Sequence, residues 1–254
     1  MNQPADRHLC VIDQVSLRFP VADRPILENI NYVIDSGDRI ILLGSNGSGK
    51  SSLLKLLNRT YRPTSGTILL QGNNLQKVPV EPLSQRVVTV TQDLRDSLFF
   101  NLTVLENCLL WETRFQRISF KISKPKETAF YRDYLADFHA QLAKKLQISV
   151  AALSGGERQS LVLALCLLHP PELLLLDEHT SALDPKIAAN IIDYTEKLLE
   201  EKRITCVLTT HNLDIALKYG NRLLALAEGR IRLQADGIEK SKLTHEEVLE
   251  RCYT

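Results

Sequence analysis

The chain has 254 residues, 44% of them hydrophobic, enough for one large domain or a core carrying subdomains. Its formal net charge of +1 argues against bulk electrostatic binding to nucleic acid or to a membrane surface. The five cysteines are odd in number and form no Cys-x-x-Cys pair, which indicates a reducing compartment rather than a disulfide framework or a zinc site.

The N-terminal stretch, Met1 to His8, is polar and carries no signal-like apolar run. The longest apolar runs, 161–168 and 173–176, fall far short of the roughly 20 residues needed to cross a bilayer. Any work at a membrane therefore goes through a docking partner.

In chain order, residues 9–34 hold two alternating stretches. Val11, Val15, Leu17 and Phe19 mark the first; Ile26, Ile30, Tyr32 and Ile34 mark the second. The break from Pro20 to Pro25 predicts antiparallel strands. Residues 39–43 read as a buried strand and 52–57 as a helix. Between them runs Gly44-Ser45-Asn46-Gly47-Ser48-Gly49-Lys50-Ser51-Ser52, a phosphate-binding loop in the strand–loop–helix setting its chemistry needs. Glycines let successive N–H groups face one anion, and the helix N-terminus adds partial positive charge. Lys50 would reach the β- and γ-phosphates of a nucleoside triphosphate, and the Ser51 hydroxyl would ligate Mg²⁺.

The run Pro63-Thr64-Ser65-Gly66 is a turn signal before a strand at 67–70, and 86–91 reads as a further buried strand ending at Gln92. From about Asp93 to Ser149 helical segments dominate, as expected of an inserted helical subdomain. This stretch has a basic middle (Arg114, Arg117, Lys121, Lys124, Lys126) that could face a partner or lipid headgroups or form a solvated surface. Leu98, Phe99, Phe100 and Leu102 make an apolar cluster that could receive a short partner helix or serve the subdomain's own core.

The α/β rhythm then returns, with a helix from near Gly156, a strand at 173–176, a helix after Asp184 and a strand at 206–210. A hairpin around Glu228-Gly229 and a capping-box start at Thr244-His245-Glu246-Glu247 follow. Strands alternating with helices around a phosphate loop indicate a mostly parallel sheet.

Two segments complete the chemistry. The strand at 173–176 ends in Asp177-Glu178, delivering carboxylates beside the phosphate loop. Asp177 would hold Mg²⁺ with Ser51. Glu178, pointing elsewhere, would polarise a water lined up on the γ-phosphate. In Leu153-Ser154-Gly155-Gly156-Glu157, a serine and two glycines open a helix and form a second anion-binding start. One triphosphate does not need two cradles on one subunit, whereas two copies arranged head to tail do. The alternative is an ordinary Ser N-cap with a tight turn.

These motifs resemble, in order and over nearly the whole chain, an ATP-binding cassette (ABC) ATPase. The match includes Ser181-Ala182-Leu183-Asp184 and His211. The resemblance implies a P-loop NTPase, α/β in class, with a RecA-like core of mostly parallel sheet, an antiparallel β-subdomain and an inserted helical subdomain. It implies a division into 1–92, 93–155, 156–233 and 234–254 within one ABC ATPase domain. By resemblance, Gln92 senses Mg²⁺ and the attacking water, Asp184 links two sites across a dimer, and His211 contacts the γ-phosphate. Phe19 lies where the family places an aromatic that stacks on adenine, with a place in the core as the alternative.

The wording from Asp177 to Lys186 resembles a branch that accompanies tryptophan- or tyrosine-type importers. The implied partners are a second copy, permease subunits and, through them, an extracytoplasmic solute-binding protein, with no nucleic acid. The implied place is the cytoplasmic face of the membrane, peripheral, with the isolated subunit soluble. No added regulatory domain follows the cassette, so ligand gating of the kind some importers carry is not expected. His179 departs from the family's small residue or proline, and is expected to be solvated or packed in its loop rather than a metal ligand.

Overall fold

The computed structural model describes residues 8–20, 23–115, 125–181 and 183–253. Arg117, Lys121, Lys124 and Ala182, together with most of the polar N-terminal stretch, lie outside the described residues. In chain order the elements begin with β1 (His8–Leu17), β2 (Leu27–Asp35), β3 (Arg39–Leu43), α1 (Lys50–Leu57), β4 (Ser65–Leu70) and β5 (Asn73–Asn74). They continue with α2 (Val80–Arg86), β6 (Val87–Val90), α3 (Val104–Glu112), α4 (Pro125–Phe138), α5 (Ala140–Lys144), α6 (Gly155–Leu168) and β7 (Leu173–Asp177). Last come α7 (Pro185–Glu201), β8 (Thr205–Thr210), α8 (Leu213–Lys218), β9 (Arg222–Ala227), β10 (Arg230–Asp236), α9 (Gly237–Lys242) and α10 (His245–Tyr253). They fall into two compact units, one of Met1–Thr89, Glu172–Glu178 and Glu196–Thr254, the other of Val90–Pro171 and His179–Thr195.

The first unit contains two sheets. The alternation of residues 9–34 produces the antiparallel pair β1–β2, with Val11 opposite Val33 and Ile12 opposite Tyr32; β4 then joins the other edge of β1. The sheet order is β2-β1-β4-β5. The alternation slips between Ile12 and Val15, where Gln14 takes φ 50 and its N–H donates to Asn31 Oδ1 at 2.9 Å. A bulge of this kind returns Val15 and Leu17 to the buried face.

The second sheet has the order β10-β9-β3-β8-β7-β6. Its β3 runs parallel to both β8 and β9, and β7 runs parallel to β8. Residues 173–176 are four leucines in a row, each fully buried. That is the composition of a strand covered on both faces. The β9–β10 hairpin turns at Glu228 (φ 50) and Gly229 (φ 72), the pair of positive φ values a two-residue hairpin needs. Leu53, Leu54, Leu56 and Leu57 of α1 pack into one core with Leu27, Ile30, Ile68, Leu175, Val207 and Leu224. Each such side chain contributes roughly 1.5–3 kcal/mol of burial, which anchors the loop before α1 to both sheets.

The second unit is helical. The side chain of Thr103 caps α3 and Glu106 answers it in a capping box. Helix α6 is buried nearly all round from Leu161 to Leu167, and Tyr134 Oη of α4 donates to Ala164 O at 2.7 Å. Arg114 of the basic stretch stacks over the Trp111 ring at 4.5 Å, so it is not simply a solvated charge. All five cysteines are free and buried, and burial pushes the Cys10, Cys108 and Cys166 thiols up to about 12. No helix among the described residues is long and apolar enough to cross a membrane.

Several element bounds differ from the sequence-based expectation. The strand predicted at 86–91 covers only Val87–Val90, because Arg86 closes α2 and its guanidinium grips Glu172 at 2.8 and 2.9 Å. The tail 234–254, expected as one helix, holds two, and in α9 the buried residue is Lys240 rather than an apolar one. The Lys240 ammonium donates to the carbonyls of Tyr219 and Gly220, and burial lowers its pKa to about 8.

Candidate active site

The loop 44–49 joins β3 to α1. Gly47 (φ 80) and Gly49 (φ 107) take backbone angles that other residues avoid. At Gly44 the requirement is space, because an added Cβ would sit 2.4 Å from Ser48 Oγ and 2.6 Å from Leu226 O. Gly44→Ala is therefore expected to destabilise the protein by about 1–3 kcal/mol and to deform the loop. Urea unfolding checks this, and an unchanged midpoint contradicts it. No side chain caps the N-terminus of α1 at Gly49, so the helix presents its first turn to an anion.

Lys50 opens α1 and is buried. Its ammonium donates to Gly44 O at 2.8 Å and Ser45 O at 3.2 Å, and lies 3.2 Å from Glu178 Oε1. Ser51 Oγ donates to Asp177 Oδ1 at 3.1 Å. Asp177 ends β7, opposite Thr209 of β8. The Thr209 hydroxyl donates to Asp177 Oδ1 at 2.7 Å and accepts the Glu178 N–H at 2.9 Å. Glu178 takes φ 43, a left-handed conformation that is rare and costly for a side-chain-bearing residue. This turn sends its carboxylate away from that of Asp177, toward Lys50 and toward His211 Nδ1, 3.4 Å from Glu178 Oε2. The first unit thus gathers Lys50, Ser51, Asp177, Glu178 and His211. Ser45, Asn46, Gly47 and Ser51 are exposed and Ser52 is half-buried at the rim.

The hard oxygens of Ser51 and Asp177, side by side, are the donor set Mg²⁺ prefers. The open space beside Gly47, where a Cβ would meet nothing within 4 Å, leaves the loop free to take a phosphate. Phe19 is half-buried against the core and meets Tyr61 edge-on, with ring centroids 5.2 Å apart.

The second unit holds the remaining predicted residues. Ser154 Oγ accepts the Glu157 N–H at 3.3 Å, and Glu157 Oε2 accepts the Ser154 N–H at 2.9 Å, a full capping box at the start of α6. Burial raises the Glu157 pKa, but the bonds from Lys145 and Ser154 outweigh it and hold the carboxyl below its ordinary value. A Cβ on Gly155 would come within 2.8 Å of Leu183, and one on Gly156 within 3.1 Å of Ile187. These glycines therefore also permit close packing. Asp184 is exposed, and its Oδ1 accepts the Lys186 N–H at 2.9 Å.

Gln92, Gly155, Arg158, Gln159, His179 and Leu183 line one cavity of about 510 Å³. His179 is buried, not solvated; its Nε2 has no partner, and burial lowers its pKa to about 4. In the unfolded chain the same imidazole titrates near 6.5, so the unfolded state takes up its proton first. Stability is therefore lost as pH falls from about 6.5 toward about 4, by roughly 1.4 kcal/mol per unit. His179→Gln should remove about 2 kcal/mol of the stability difference between about pH 7 and about pH 5, read by urea unfolding. An unaltered difference contradicts the burial of a neutral ring.

Sequence reasoning missed Thr209. Read as an interior residue of the strand 206–210, it reveals its role only when the register brings it opposite Asp177.

Comparison with known proteins identifies the family. The ABC transporter family model matches residues 27–181. The chain is 38% identical over 226 residues to a tyrosine transport ATP-binding protein of Clostridioides difficile (strain R20291), covering 89% of this chain and 90% of that one. It is 32% identical to a phosphonates import ATP-binding protein, PhnC 2, of Synechococcus sp. (strain JA-2-3B'a(2-13)), over 87% and 82% of the two chains. Among solved structures, cbiO1 from Clostridium perfringens, part of the ABC transporter complex cbiONQ, has the same fold. Its TM-score is 0.79 at 24% identity over 96% and 94% of the chains. The cassette MJ0796, solved as a dimer in a post-hydrolysis state with ADP and Pi, gives a TM-score of 0.73 at 25% identity, over 89% and 98%. On the family model and the relative 38% identical over nine-tenths of both chains, the chain belongs to the ATP-binding subunits of ABC transporters and is an ATPase.

Proposed function

We propose that two copies of this chain close head to tail on two ATP molecules with Mg²⁺, hydrolyse them, and drive a separate permease that takes up a small solute such as an amino acid. The observation that carries the reading is the clustering of Lys50, Glu178 and His211 beside the Ser51–Asp177 pair. Lys50 and the loop N–H groups bind the β- and γ-phosphates. Glu178, turned away from Asp177, polarises the attacking water, and His211 contacts the γ-phosphate. Ser51 and Asp177, with Gln92 as sensor, would hold Mg²⁺, which supplies charge neutralisation on the phosphate oxygens. Phe19 offers an aromatic face to adenine, and Asp184 links the two centres. Ser154, Gly155 and Gly156 of the second copy cap the nucleotide.

The helical residues 93–155 face the permease, and the subunit sits peripherally on the cytoplasmic side of the membrane. An extracytoplasmic binding protein delivers the solute to the permease, and no nucleic acid is involved. The named tyrosine relative supports an aromatic amino acid as cargo. In the apolar cluster of the helical unit, Leu98 is buried in its own core, whereas Phe99 is 62% exposed. Asn107 holds the Phe99 backbone on both sides, accepting its N–H at 2.8 Å and donating to its carbonyl at 3.0 Å. An exposed ring on a backbone held at both its N–H and its carbonyl suits a helix-in-groove contact.

Co-expression with a permease and ATP-driven uptake of labelled tyrosine into membrane vesicles tests the proposal. Phe99→Asp is expected to keep the hydrolysis rate of the isolated subunit within about twofold while abolishing membrane recruitment and uptake. Recruitment unaffected by Phe99→Asp contradicts this docking surface.

A further inference from the structure

We propose that Thr209 is a positioning residue that sets both carboxylates of the hydrolytic centre through one hydroxyl. The inference rests on the reading above, in which Asp177 serves the metal and Glu178 the water. A threonine hydroxyl has one proton to give and lone pairs to receive. The proton goes to Asp177 Oδ1 at 2.7 Å, in preference to Leu176 O at 3.5 Å, and a lone pair takes the Glu178 N–H at 2.9 Å. Thr209 is 1% exposed, so no solvent molecule can replace it without opening the strand pair.

The arrangement decides two things at once. Oδ1 of Asp177 also receives the Ser51 hydroxyl at 3.1 Å, so Thr209 fixes the oxygen that faces the phosphate loop. The bond to Glu178 N–H locks a residue at φ 43, where the backbone would otherwise relax and swing the carboxylate away from Lys50 and His211. Neighbouring Thr210 does separate work, accepting the Asn212 N–H at 3.0 Å and shaping the turn that carries His211. Thr209 therefore connects metal placement to water polarisation through the register of β7 and β8.

Thr209→Val keeps the shape and deletes the hydroxyl; Thr209→Ser keeps the hydroxyl. The primary measurement is Mn²⁺ affinity, by electron paramagnetic resonance, in the presence of a non-hydrolysable ATP analogue. Thr209→Val should weaken Mn²⁺ by about tenfold or more, and Thr209→Ser should return it to within about threefold of the parent. In turnover, Thr209→Val should lower kcat by about tenfold or more with the KM for ATP little changed. Asp177→Asn is the reference: if it leaves Mn²⁺ affinity unaltered, the reading of the metal site fails. If Asp177→Asn weakens Mn²⁺ and folded Thr209→Val does not, the role of Thr209 fails. Should Thr209→Val not fold, hydrogen exchange on the unsubstituted protein decides, with a strongly protected Glu178 amide expected and rapid exchange overturning the proposal.

Discussion

Glu178→Gln is expected to leave ATP binding intact while lowering turnover by about a hundredfold to ten-thousandfold, the range lost when a positioned general base is removed. Glutamine fills the same volume, and its backbone can keep both the bond to Thr209 and the turn at φ 43. What disappears is the negative charge 3.2 Å from Lys50 and 3.4 Å from His211. Lys50 loses a competitor for its ammonium, so nucleotide affinity should hold or rise. The closed pair should then accumulate with unhydrolysed ATP, visible as an ATP-dependent shift to dimer in size-exclusion chromatography. Turnover at the unsubstituted rate is incompatible with the role given to this carboxylate.

Lys50→Ala is expected to act at the other end, on binding. The ammonium is 5% exposed and already desolvated, and it bonds to two loop carbonyls and one carboxylate. A phosphate oxygen entering the loop meets a donor whose desolvation has largely been met in folding. Charge-assisted hydrogen bonds of this kind contribute about 1.5–3 kcal/mol each, so affinity should fall by about tenfold to a hundredfold. The deletion also removes the ammonium 3.2 Å from Glu178 Oε1, leaving the exposed His211 ring 3.4 Å from Oε2. Isothermal titration with ATP and Mg²⁺ reads the loss. Affinity within a factor of about two of the parent contradicts it.

The motifs were legible wherever a local pattern carries the physics. The phosphate loop announces itself because glycines, a lysine and a hydroxyl must sit at fixed offsets between a strand and a helix. The leucine run 173–176 with its terminal carboxylates is equally local, as is the Thr244–Glu247 capping box, which forms with bonds of 2.9 and 3.2 Å. Hidden features depend on pairing across the chain. Thr209 is one β-branched residue among several until strand register places it against Asp177. The positive φ of Glu178 leaves no trace in residue type, since glutamate is a poor choice for it and tertiary bonds impose it.

The glycines after Ser154 were expected for their N–H groups; what the structure shows is close packing against Leu183 and Ile187, which small residues permit. His179 shows the reverse case. A polar residue in a loop motif suggested solvent or loop packing, and the structure selects packing, with a ring nitrogen left without a partner. Short α2 escaped because one buried residue in seven makes no periodic stripe.

If each hydrolytic centre is completed by Ser154 of a second copy, chains broken in opposite halves of the centre should complement each other. Mixing a Lys50→Ala chain with a Ser154→Arg chain tests it most directly, because each pure protein lacks one half of both centres while every mixed pair retains one intact centre. With random pairing, half the dimers are mixed, and the mixture should recover about a quarter of the parental ATPase rate from two nearly inactive components. A mixture no more active than the sum of its parts contradicts the shared-site account.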